Sequence, residues 1–109
     1  MLINFSNIDE AVNHCFKGGE KDTCMKKAEF GDSRVMRIRL VPGASIGLHT
    51  HEDNCEVFYF LSGHGKCLYD GQWEPAEPGT AHYCPKGHSH SLVNSGDEDL
   101  VLFAAVIAQ

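Results

Sequence analysis

Between positions 48 and 56 the chain reads LHTHEDNCE, which places His49 and His51 one residue apart and Glu56 five residues beyond. In an extended strand, residues two apart project to one face, so both imidazoles can point inward while Thr50 points away. If the chain turns through Glu52, Asp53 and Asn54 and re-enters a strand at Cys55, Glu56 can face the same interior. Two imidazoles and a carboxylate would then converge, a donor set that suits a divalent transition ion. A His-x-His pair alone is weak, because surface histidines are common. A second histidine-bearing stretch, PKGHSHSLVN at 85–94, strengthens it.

Two spaced patterns run through these stretches. Gly43, His49, His51, Glu56 and Gly63 fit G-x5-H-x-H-x4-E-x6-G, and Gly79, Pro85, Gly87, His90 and Asn94 fit G-x5-P-x-G-x2-H-x3-N. In this order they resemble the two signature motifs of the cupin superfamily, in its small single-domain, conserved-barrel form. The resemblance implies a jelly-roll β-barrel with a metal held inside by His49, His51, Glu56 and His90. One carboxylate and three neutral imidazoles are compatible with Fe, Mn, Ni, Cu or Zn, and they leave coordination positions for water or substrate. The functions implied range over dioxygenases, isomerases and lyases on one side and metabolite sensors or carriers on the other. The leading expectation is a small metalloenzyme acting on an oxygenated small molecule, a sugar or a keto or hydroxy acid. The alternatives are a binding barrel without turnover, or a metal that only staples the fold.

The elements that would carry these residues are strands. SRVMRIRLV (33–41) alternates Met36, Ile38 and Leu40 with Arg37 and Arg39, and Pro42 with Gly43 ends it. CEVFYFL (55–61), AHYC (81–84), SHSLVN (89–94) and LVLFAAVIA (100–108) read as further strands, and Asp70-Gly71 marks a two-residue hairpin turn. Many short strands punctuated by turns indicate an all-β sandwich or barrel. Residues 1–24 form an N-terminal segment, with a short helix expected from Ser6, capped through the Ser6/Asp9 spacing, to the Gly18-Gly19 pair; residues 25–109 form the barrel.

The remaining candidates depend on which way their strands face. His82 would line the cavity as an acid or base if Thr80, His82 and Cys84 face inward; Tyr83 would do so on the opposite phase. Phe58 and Phe60 share the parity of Glu56 and would wall the cavity. Arg37 and Arg39 are expected on the outer face, since two buried guanidiniums need partners the sequence does not supply. Asn94 is expected to tie a turn through its amide. His64 and His88 are expected at the surface or rim, and Trp73 in ordinary packing.

With 109 residues, 42% of them hydrophobic, the chain supports one domain and one modest core. The net charge of −6 argues against nucleic acid and anionic membranes as partners. No apolar run reaches the length of a membrane span, and the N-terminus lacks the pattern of a secretory signal, so a cytoplasmic location is expected. The five cysteines then read as free, mostly buried thiols. A small-molecule ligand and, by resemblance alone, a homodimer are the expected partners.

Overall fold

A computed structural model describes all residues, 1–109, as two antiparallel sheets facing each other in a small jelly roll. Ten strands build it: β1 (Ala11–His14), β2 (Asp22–Phe30), β3 (Ser33–Leu40), β4 (Ser45–Thr50), β5 (Asn54–Ser62), β6 (Gly65–Tyr69), β7 (Gln72–Ala76), β8 (Ala81–Cys84), β9 (Ser89–Asn94) and β10 (Leu100–Ala108). The larger sheet runs β1-β2-β3-β10-β5-β8 and the smaller β4-β9-β6-β7.

Period-two alternation sets the core. Met36, Ile38 and Leu40 on β3, Phe58 and Phe60 on β5, and Leu100, Leu102, Ala104 and Val106 on β10 are all buried. The residues between them face outward, Arg37 and Arg39 included, as their parity predicts. Arg39 makes a paired bond to Glu10, with Nε to Oε2 at 2.9 Å and Nη2 to Oε1 at 2.8 Å, and reaches Asp99 at 3.2 Å. It thereby ties the N-terminal segment to the outside of the larger sheet. The hairpin at Asp70-Gly71 forms with positive φ at both residues, 48° and 81°, the conformation a two-residue turn between twisted strands requires. Asn94 ties its turn as expected: Nδ2 donates to the Leu40 and Glu98 carbonyls, and Oδ1 accepts from the Gly96 N–H.

The helix expected from Ser6 to Gly19 does not form. That segment holds two 3-10 turns, Phe5–Asn7 and Phe16–Gly18, on either side of β1. Asn4, rather than Ser6, caps the first turn, its Oδ1 accepting from the Ser6 N–H. Cys15 and Lys17 have positive φ, which interrupts a helix. An isolated helix of this length is marginal in water, whereas β1 pairs with the edge of β2 from Ala11↔Met25 to His14↔Asp22. The expected junction after residue 24 thus falls inside β2.

Candidate metal centre

The strand carrying His49 and His51 is not regular. On β4, Ile46 pairs with Leu92 of β9, but His49 pairs with His90, so β4 holds one more residue than its partner between these pairs. This bulge changes the phase: Ile46 is buried, Leu48 is exposed, and the odd-numbered His49 and His51 turn inward. Plain alternation from the core residue Ile46 would have sent both histidines out. Gly47 lies in the bulge, where a Cβ would overlap the Lys17 carbonyl oxygen, so the second 3-10 turn packs backbone to backbone on β4. The Ser45 N–H donates to the Glu20 carbonyl and Ser45 Oγ accepts from the Glu20 N–H, both at 2.9 Å.

The bulge brings four side chains to one point. Nε2 of His90 lies 2.9 Å from Nε2 of His51, 3.1 Å from Nε2 of His49 and 3.1 Å from Oε1 of Glu56. The Glu56 oxygen is also 3.1 Å from His51 Nε2, and all four ligand atoms lie within 4.8 Å of one another. His51, Glu56 and His90 are buried and His49 is partly so. This is the only such group in the chain; His14, Cys15 and Cys24 do not converge. The predicted set is therefore brought together, from both sheets.

The ring orientations fit a cation. His49 Nδ1 donates to the Gly47 carbonyl at 2.7 Å, and His51 Nδ1 to Asn54 Oδ1 at 2.6 Å. His90 Nδ1 is bonded to His82 Nε2 at 3.0 Å. All three rings use Nδ1 for an outside bond and present Nε2 to the centre. Three imidazole lone pairs facing a carboxylate oxygen are mutually repulsive unless a proton or a metal ion stands among them. Burial pushes the Glu56 carboxyl up, but the hydrogen bonds and charge of His51 and His90 outweigh it and hold the group at about 2. The bond to Glu56 carries His51 above the usual imidazole value despite burial, so in the metal-free protein His51 takes the reconciling proton. Burial moves His49 the other way, only partly opposed by the Gly47 carbonyl.

In front of the cluster opens a cleft of about 730 Å³, lined by Met25, Met36, Ile38, Asn54 and the three outer ligands among others. Arg34 and Lys27 also line it. Arg34 lies in one cross-strand row with Val106 and Glu56, two strands from the carboxylate, and makes no ion pair. In the sequence it stands out less than the Arg37/Arg39 pair, yet the same alternation that sends those two outward sends Arg34 in. Asn54 was likewise missed; its place two residues before Glu56 is a signal only once the turn is known.

The two acid–base candidates lie elsewhere. His82 is buried, but behind His90 and off the cleft wall. Tyr83 stands on the outer face of β8 with 53% of its surface exposed. His64 is exposed and bonded to Glu77, and His88 sits at the rim against Asp70 at 2.8 Å. Trp73 is half exposed, with the Lys66 ammonium 4.4 Å from its ring centre. It packs beneath that chain rather than in the core.

A family model described as "Cupin domain" matches residues 36–106. An oxalate-binding protein of Thermotoga maritima is 33% identical over 113 residues, spanning 98% of this chain and 93% of that one. A crystal structure of a predicted oxalate decarboxylase from Thermotoga maritima superposes with a TM-score of 0.93 at 30% identity, each chain covered in full. A glucose-6-phosphate isomerase of Thermococcus onnurineus is 36% identical over 61 residues, which is 51% of this chain and 32% of that protein.

Proposed function

The chain belongs to the cupin domain family, and from that premise we propose that it is a metal-dependent protein for small oxygenated acids. His49, His51, Glu56 and His90 would hold one divalent ion of the Fe, Mn, Ni, Cu or Zn group. The observation that carries this reading is the convergence of four donors, the three imidazoles each with the far nitrogen tied down, at the floor of an open cleft. Such an ion supplies Lewis acidity toward carboxylate, carbonyl or hydroxyl oxygens. The protein's own part is to keep each Nε2 aimed inward and to exclude water on the core side, where Phe58 stacks on His90. Arg34 is placed to face the outer end of an anionic ligand. The relative described as oxalate-binding supports an acid over a sugar as the ligand class.

Binding is favoured over turnover by the placement of His82 and Tyr83. Neither lines the cleft, so the acid–base groups expected from the sequence do not meet a ligand there. A metalloenzyme remains the second reading, supported by the structural relative described as a predicted oxalate decarboxylase. Metal analysis of untagged protein, beside a His49→Ala, His51→Ala double variant, tests the site. About one equivalent per chain, absent in the variant, is expected. Calorimetry with oxalate, a keto acid and a sugar phosphate then tests the ligand class. Saturable, metal-dependent binding of the acids with no product formed is expected. Product formation would move the assignment to an enzyme, and no metal even after reconstitution would end it.

A homodimer is also proposed. On the outer face of the larger sheet, Tyr59, Leu61, Tyr83 and Ile107 are 41–53% exposed around partly covered Val57 and Phe103. A contiguous apolar face of this kind is usually covered in solution.

A further inference from the structure

His82 is buried, touches no part of the cleft, and still ends on a ring nitrogen of a central histidine. Its Nε2 lies 3.0 Å from His90 Nδ1, and the two rings are inclined by only 23° with centroids 5.2 Å apart. Its other nitrogen, Nδ1, lies 3.5 Å from Oε1 of Glu74. Phe58 packs against both rings, with centroids 5.1 Å from His90 and 5.6 Å from His82, and Tyr69 meets His82 edge-on at 5.6 Å. The row crosses the fold: Glu74 is on β7, His82 on β8 and His90 on β9.

Proton counting gives this row a direction. Glu74 as a carboxylate can only accept, and at 3.5 Å its charge favours the His82 tautomer with the proton on Nδ1 and a lone pair on Nε2. That lone pair accepts from His90 Nδ1, which leaves His90 Nε2 as the atom that faces Glu56, His49 and His51 and gives up any proton it holds to an incoming ion. From this geometry we infer that Glu74 and His82 act through His90 as positioning residues: they fix its tautomer and ring plane and strengthen Nε2 as a ligand. A carboxylate behind an imidazole makes it a better donor, and here a second imidazole extends the effect by one residue. Gly47 and Asn54 do the same for His49 and His51 with neutral acceptors, so His90 alone is backed by a chain ending in a charge.

The inference rests on the metal-site reading above, and its test keeps the two separable. Nitrogen-15 NMR of metal-free protein reads the tautomers without any ion. Wild-type His90 is expected to be protonated on Nδ1, and His82→Leu to release it into a mixture of tautomers. In parallel, cobalt(II) is titrated by calorimetry and visible absorption into wild type, His82→Leu, His82→Gln and Glu74→Gln. His82→Leu should bind cobalt about ten- to a hundredfold more weakly, with shifted absorption bands. His82→Gln should recover most of the loss, since its amide can accept from His90 and donate to Glu74. Glu74→Gln alters an exposed side chain without threatening the fold, and should weaken binding by a smaller factor. A bare Nδ1 on wild-type His90 would overturn the inference. So would His82→Gln proving as weak as His82→Leu, the mark of packing alone. A wild type that takes up no cobalt ends the metal reading, while the tautomer measurement still decides this one.

Discussion

The central histidines must lose a proton to bind a metal, and the structure says which one resists. His51 is held above the usual imidazole value of about 6.5 by its bond to Glu56, so protons compete with the ion there. Metal affinity should therefore fall steeply as pH drops from 8 to 6, with proton release on binding, measurable by calorimetry in buffers of different ionisation enthalpy. Glu56 gives the opposite window in the metal-free protein. Its folded pKa of about 2 lies below the unfolded value of about 4.3, so it stabilises the fold above that value and the contribution is lost as pH falls toward 2. The gap in melting temperature between wild type and Glu56→Gln should close over that range; a constant gap would show that the carboxylate is not held down by its neighbours. Residue-scale burial also orders the thiols. Cys15 is exposed while Cys24, Cys55, Cys67 and Cys84 are buried, and burial pushes Cys67 up to about 12 and Cys84 to about 11. Native protein should give one rapidly reacting thiol per chain with a disulfide reagent and four more on denaturation.

At the scale of elements, the bulge in β4 matters most, because one inserted residue decides whether two histidines face the cleft or the solvent. Gly47 makes the bulge compatible with the turn at Phe16–Gly18, and its carbonyl holds His49. A methyl group there must push backbone away from backbone, at a cost of about 1–3 kcal/mol. Gly47→Ala should lower the melting temperature by roughly 5–15 °C and weaken metal uptake. A variant with wild-type melting and uptake would mean the N-terminal segment does not pack on β4. This is also where sequence reading reached its limit. Strands β3, β5, β8, β9 and β10 were legible to within a residue, because their apolar residues alternate and Gly, Pro or Asp ends them. β1 was not, because AVNH carries too little pattern and becomes a strand only against β2.

At the scale of the whole molecule, the apolar outer face of the larger sheet predicts association. Light scattering should give about twice the mass of a single chain, and Tyr59→Lys together with Ile107→Lys should return it to a monomer with the metal site intact. A monomeric wild type would leave that face without a partner. The sequence by itself determined the all-β class and the family resemblance, and the four central side chains as that resemblance implies them. The class and the motifs depend on residue type and short-range spacing, which the chain carries openly. Only the tertiary structure decided what stands around them. His82 went behind His90 instead of into the cleft, Tyr83 went outside, and Arg34 rather than Arg37 or Arg39 joined the cleft wall. Each outcome depends on the phase of one strand relative to another across two sheets. In β4 a bulge shifts the phase by one residue, at the point where the N-terminal segment packs against Gly47.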